Sequence, residues 1–209
     1  MGQVAMDHGA ALQAIRRFVA CLDPLAAGRY FIVDGTLLGL VREGGFIAGD
    51  YDVDFGIWAE DYREAIVASL VEAGFVHEAT FGIPGDGLVQ QFRDGAIRID
   101  LACFHRTGQA IWSAVWARDR MLRADFRPFD LAPANFQGIP VMMPSPPERY
   151  LEAAYGRAWK TPVTVWDYRY SIRNLRPVGS LWWRIHFRLK KALWHALNRE
   201  RRPAAGDRE

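Results

Sequence analysis

At 209 residues, half of them hydrophobic, the chain can fold as one domain around a packed core, with room for a small helical appendage. Its two cysteines, Cys21 and Cys103, lack C-x-x-C spacing; they exclude a disulfide framework and a thiolate zinc site, read as core residues, and make a reducing, cytoplasmic compartment the expectation. Net charge is only +2, yet ten Lys/Arg and one acid lie between Arg169 and Arg202, which leaves 16 basic against 23 acidic residues elsewhere: the tail is basic and the body acidic.

The N-terminal stretch has Asp7 and then an apolar pattern interrupted by Arg16 and Arg17, so it reads as neither a signal peptide nor a membrane span. Met6 stands where a myristoylation signal has Ser or Thr. Ala11, Leu12, Ile15, Phe18, Val19 and Leu22 recur at helical spacing and predict an opening helix that the Asp23-Pro24 step ends. Residues 30–33 predict a short buried strand. Gly35 follows at the turn, and a short helix over 36–41 starts there with Thr36 as its N-cap. A strand over 53–57 precedes a helix over 61–73 that carries Tyr62, Ile66, Leu70 and Ala73. Strand-like runs follow at 75–79, 88–93, 97–104 and 111–116. The closing part is expected to be more helical, with Ser145 ahead of Pro146, Pro147 and Glu148 as an N-cap.

In the basic tail, Leu181, Trp182, Ile185, Leu189, Leu193 and Leu197 recur at helical spacing, with Arg184, Arg188, Lys190, Lys191 and Arg199 mostly elsewhere around the wheel. Two accounts of this amphipathic helix stay open. Its apolar stripe packs on the body, or it attaches to the anionic inner face of a membrane with Trp182, Trp183 and Trp194 as interfacial anchors. Nucleic acid ranks third and is not expected, because no RNA- or DNA-binding motif accompanies the basic residues.

The run Asp50-Tyr51-Asp52-Val53-Asp54-Phe55 is the chain's most informative stretch. In an extended strand Asp52 and Asp54 share one face while Val53 and Phe55 fill the other. Two adjacent ionised carboxylates on a half-buried strand repel each other unless a divalent cation lies between them. Asp100 adds a third acid within the apolar run Ile97-Arg98-Ile99-Asp100-Leu101 and needs either a metal or a counterion such as Arg98. If its strand lies beside residues 53–57, the three acids converge and can hold one or two Mg²⁺, leaving room for substrate phosphates.

Gly35-Thr36-Leu37-Leu38-Gly39, Arg42, Gly45-Phe46-Ile47 and the acid run 50–55 together resemble the signature of the LicD/fukutin family within the nucleotidyltransferase superfamily. Val141, Pro144, Tyr150-Leu151, Tyr155-Gly156, Trp159-Lys160 and Thr161-Pro162 are similar to its C-terminal pattern. The resemblance spans roughly residues 30–170 and implies a mixed α+β fold, the minimal nucleotidyltransferase fold with a curved mixed sheet flanked by helices; the expected organisation is that domain over residues 1–170, followed by a basic, Trp-rich helical tail over 171–209. It implies Asp52, Asp54 and Asp100 as metal ligands and catalytic carboxylates for Mg²⁺ or Mn²⁺, and Gly35, Thr36, Arg42 and Asp50 on the substrate side. Gly35 and Thr36 match the step where backbone amides approach donor phosphate. Arg42 reads equally as a phosphate ligand or an exposed helix-end residue. Asp50 sits on the acid face, or lies in the loop and orients Arg42 or a metal-bound water.

The implied reaction moves phosphocholine or an alditol phosphate from a CDP-linked donor to a hydroxyl of a cell-surface glycan or lipid-linked saccharide, with Asp100 as base and CMP leaving. Two alternatives remain: nucleotidylyl transfer to a small molecule or RNA end with release of pyrophosphate, and a non-catalytic binding protein of the same fold. Ala48 and Gly49 replace the Pro and Trp common in relatives, and no cysteine set exists for the zinc-bearing loop of some animal members, so acceptor selection falls to loops or to another protein. His77 and His105 read as ordinary histidines, Trp112 and Trp116 as core, and Lys160 as solvated. No Gly-x-Ser-x-Gly elbow or Walker loop is present.

Overall fold

The computed structural model describes residues 5–117, 120–163, 172–178 and 181–197. Helix α1 (His8–Ala26) opens with Asp7, whose carboxylate accepts the Ala10 N–H at 2.7 Å. It buries Ala11, Ile15, Phe18 and Leu22 and runs through Pro24, three residues beyond the expected stop. The hydrogen bond that Pro24 forfeits lies in the last turn, and Ala26, four residues after Leu22 on the same buried face, keeps that turn packed.

Strand β1 (Tyr30–Ile32) leads into α2 (Asp34–Glu43) and then β2 (Asp52–Trp58). Thr36 is not the N-cap: Val33 occupies that position without a side-chain cap, and Thr36 lies inside the helix. Gly39 lets α2 approach the chain that returns from it, because a Cβ there would lie 2.3 Å from the Gly45 carbonyl oxygen. Helix α3 (Glu64–Glu72) starts three residues later than periodicity suggests, with Arg63 as its N-cap residue. The strands β3 (Val76–Ile83), β4 (Asp86–Asp94), β5 (Ile97–Thr107) and β6 (Ala110–Ala117) follow where runs of apolar residues predicted them.

Beyond β6 the expected helical ending is largely strand: β7 (Arg120–Phe126), β8 (Asp130–Phe136), β9 (Ile139–Ser145), helix α4 (Pro147–Tyr155), β10 (Leu175–Pro177) and helix α5 (Leu181–Leu197). Ser145 ends β9 and does not cap α4, whose N-cap residue is Pro146 with no side-chain bond. The proposed domain boundary at 170 and Arg199 lie outside the described residues.

Eight strands form one sheet in the order β1-β2-β5-β6-β7-β10, with β4 also on β5 and β3 on β4. Long β5 makes this possible: residues 97–102 pair with β4 and residues 104–107 with β6 along the same edge, while β2 takes the other edge. The β2–β5 pairing is parallel and the other described pairings are antiparallel, which gives the mixed sheet of the expected α+β class. Strands β8 and β9 form a separate hairpin. The core joins Phe18 of α1 to Phe55 of β2, their rings 4.9 Å apart, and continues through Phe31, Phe104 and Tyr150.

Candidate active site

The register of β2 and β5 builds the site. Asp54 stands opposite Asp100 and Asp52 opposite Arg98. Val53, Phe55 and Ile57 are fully buried on the other face, so alternation leaves the carboxylates on the cleft side. One carboxylate oxygen from each of Asp52, Asp54 and Asp100 lies within 4.8 Å of the other two. The structure therefore brings together the three acids that the sequence singled out.

The turn into α2 secures this cluster. The Gly35 N–H donates to Asp54 Oδ2 at 3.0 Å, and the Asp54 N–H donates to Thr36 Oγ1 at 2.8 Å. A Cβ on Gly35 would lie 3.1 Å from Asp54 Oδ2 and 3.2 Å from Asp50 Oδ2, so a glycine lets both carboxylates close on this turn. Gly35 and Thr36 thus engage Asp54 directly. Asp50 lies in the loop before β2, where its Oδ1 accepts the Tyr51 N–H at 3.0 Å. Arg42 lines the cleft, but its hydrogen bonds go to Glu43 at 2.7 Å and to the Trp159 carbonyl at 3.4 Å, away from Asp50.

Three further side chains complete the cluster, and two of them, Asp34 and Gln91, escaped the sequence reading. Asp34 precedes Gly35 with φ of 42°, and its carboxylate accepts the Tyr150 hydroxyl at 2.7 Å across 116 residues of sequence. Gln91 of β4 donates to Asp100 Oδ2 at 3.1 Å. Arg98 bonds Asp52 through Nη2, holds Nε 3.6 Å from Asp100 Oδ1 and lies over the Tyr51 ring. The Arg98 counterion reading is thus partly realised, with one guanidinium shared between two carboxylates.

That single positive charge leaves the cluster uncompensated. Burial, then the neighbouring Asp52, Asp34, Asp100 and Asp50 carboxylates, push Asp54 well above the usual carboxylate range. Burial raises Asp100 to about 6 against the opposing pull of Arg98, and burial with Asp52 raises Asp50 to about 6. Asp100 Oδ1 is buried and accepts no hydrogen bond. Hard carboxylate oxygens crowded together, one of them without a donor, fit a divalent cation such as Mg²⁺ or Mn²⁺.

The acids sit at one end of a cleft of about 670 Å³. The other end is apolar, lined by Phe81, Val89, Ala114, Val115 and Trp116. Trp116 is half-buried rather than in the core; its indole N–H donates to the Gly87 carbonyl at 2.8 Å. Trp112 is likewise half-buried and stacks on His105 with ring centroids 4.0 Å apart.

A family profile described as LicD/FKTN/FKRP, nucleotidyltransferase domain, matches residues 28–146, more than half of the chain and all of the acid cluster. The chain belongs to the LicD/FKTN/FKRP family. Mouse ribitol-5-phosphate transferase FKTN is 32% identical over 153 residues, covering 72% of this chain and 33% of that protein. Mouse ribitol 5-phosphate transferase FKRP is 32% identical over 157 residues, covering 70% and 31%. This LicD/FKTN/FKRP member therefore spans about a third of the length of these curated relatives. Among solved structures, the lincomycin-bound lincosamide antibiotic adenylyltransferase LnuA aligns with a TM-score of 0.43 at 11% identity over 69% of this chain and 82% of that one.

Proposed function

We propose that the chain transfers an alditol phosphate, or phosphocholine, from a CDP-linked donor to a hydroxyl of a glycan. The observation that carries this reading is the convergence of Asp52, Asp54 and Asp100 beside the Gly35 turn, with Asp100 Oδ1 lacking a donor. Family members named for ribitol-phosphate transfer favour the alditol phosphate.

Asp52, Asp54 and Asp100 would hold one or two divalent cations, which when bound supply charge neutralisation on the donor phosphates and on the departing nucleotide. Gly35 and Thr36 keep Asp54 aimed into the cleft, and Gln91 does the same for Asp100. Arg98 and Arg42, both on the cleft wall, offer guanidinium donors to phosphate oxygens. Asp100 accepts the proton of the acceptor hydroxyl; the hydroxyl oxygen forms the new bond to the phosphorus that bears the small group, and the bond from that phosphorus to CMP breaks.

Thermal denaturation with Mg²⁺ and CDP-ribitol, CDP-glycerol, CDP-choline, CTP or ATP tests the donor class. A ligand at a hundred times its Kd stabilises the fold by about 2.7 kcal/mol, a rise in Tm of roughly 5–10 °C for a domain of this size. The expected result is stabilisation by a CDP-conjugate and, with a glycan acceptor, release of CMP. Stabilisation by CTP or ATP alone, with pyrophosphate released, overturns this reading in favour of nucleotidylyl transfer.

A further inference from the structure

Helix α5 presents two apolar faces, and the body covers one of them. Phe187 is 9% exposed and its ring lies 5.5 Å from that of Trp116, while Lys190 Nζ reaches Asp86 Oδ2 at 3.0 Å. Residues 187 and 190 are three apart and so mark the body side of the helix. Ile185, Leu189 and Leu193, spaced by four, form a second stripe that is 45%, 66% and 62% exposed. Of the two open accounts, packing on the body does not hold for Ile185, Leu189 and Leu193; the packed side is that of Phe187.

An exposed stripe of large aliphatic side chains on a helix needs an occupant. The flanking charge specifies it. Arg184, Arg188 and Lys191 fall between the body side and the exposed stripe on the helical wheel, and the helix contains no acid. A further Arg199, Arg201 and Arg202 follow in sequence. Apolar residues bordered by cations on one side of a helix match the boundary between the headgroups and acyl chains of an anionic bilayer. With 17 residues the helix is about 25 Å long, and no described helix is long and apolar enough to cross a membrane.

We infer that α5 lies flat on an anionic phospholipid surface, with Ile185, Leu189 and Leu193 inserted and Arg188 and Lys191 on the headgroups. Trp116, against which Phe187 packs, also lines the apolar end of the cleft. The docked helix thus separates that end of the cleft from the lipid by about one helix diameter, ~10 Å. Where the transfer reaction proposed above holds, such a placement suits an acceptor saccharide carried on a lipid. The docking itself stands independently of that reaction.

Co-sedimentation of the full chain with vesicles tests it, using phosphatidylcholine alone or with roughly a third phosphatidylglycerol to give an anionic surface. Binding is expected to the anionic vesicles at least about tenfold tighter than to the neutral ones, weakening as salt rises from about 0.1 to 1 M. Leu189→Gln with Leu193→Gln, and separately Arg188→Gln with Lys191→Gln, should each reduce binding at least about tenfold without shifting Tm, because Leu189, Leu193 and Arg188 are exposed, Lys191 is half-exposed and glutamine is a good helix former. Equal binding to both vesicle types, no binding, or wild-type binding by the apolar double variant overturns the inference. A concentration-dependent dimer in buffer that the apolar variant dissolves also overturns it, by assigning the stripe to a second copy of the chain.

Discussion

Strands β2 and β8 are each seven residues long, each begins with aspartate, and they obey opposite economics of burial. β2 lies inside the sheet between β1 and β5, and there Asp52 is buried and Asp54 half-buried on the cleft side. β8 belongs to a separate hairpin, and Asp130 at its start is exposed to solvent. The same residue type therefore carries different information. An acid in β2 is destabilising unless something compensates it, so its presence points to chemistry; an acid in β8 is hydrated and points to nothing.

Substitution should expose this difference most strongly. Asp54→Asn removes one of the three converging carboxylates and is expected to lower turnover by about 10³-fold or more, the scale of losing a group that acts on the transition state. The variant should fold as well as the parent, because repulsion among buried acids is relieved. Asp130→Asn should leave turnover unchanged and move stability by less than about 0.5 kcal/mol. Steady-state kinetics and denaturant unfolding of the two variants decide it. A fully active Asp54→Asn protein would remove the catalytic assignment of the cluster.

The pH dependence of stability sharpens the comparison without any assay of turnover. Asp100 is raised from 3.8 to about 6 by burial, so without metal the folded state binds its proton more tightly than the unfolded chain does. The stability contributed by protonated Asp100 is fully present below pH 3.8 and is lost as pH rises through about 6. A shift of about two pH units corresponds to roughly 3 kcal/mol. Asp100→Asn in chelator-treated protein should therefore be more stable than the parent by about that amount above pH 7 and match it at the acid end. Mg²⁺ should raise the parent's Tm above pH 7 far more than below pH 4. Parallel stability curves for parent and variant across this range would show that Asp100 is not strained in the way its burial implies.

How far the sequence revealed the site follows from which contacts are local. Asp52 and Asp54 were legible because alternation and the cost of a buried carboxylate both act within one strand. Asp100 was legible as an anomaly in its own strand, and the parallel β2–β5 register then placed it opposite Asp54. That register also sets Arg98 opposite Asp52, a pairing between strands 46 residues apart that periodicity alone does not fix. Thr36 looked like a cap because capping is the commonest local use of its hydroxyl; here the hydroxyl is claimed by the Asp54 N–H. Tyr150 was invisible as a site residue, since its link to Asp34 exists only once α4 packs beside α2. The tail showed its amphipathic pattern but not which face the body would claim, because two apolar faces satisfy the same periodicity.

The β8–β9 hairpin was missed for a related reason, and it supplies the smallest test. Pro133, Pro140 and Pro144 count against strands because proline has no N–H to donate, yet a two-stranded hairpin consists wholly of edges where an absent donor is tolerated. What fixes this hairpin is its turn: Gln137 and Gly138 both take positive φ, 49° and 86°, and the Gly138 N–H donates to Asn135 Oδ1 at 2.6 Å. Phe136, Ile139 and Val141 then anchor the pair to the core. Asn135→Ala removes a hydrogen bond at an exposed turn and should cost about 0.5–1.5 kcal/mol in denaturant unfolding, with kcat and KM unchanged, since the bond that is lost lies within the turn itself. A measurable loss of turnover at unchanged stability would mean that the hairpin communicates with β2, and the contrast between a strand that carries chemistry and one that carries only structure would no longer hold.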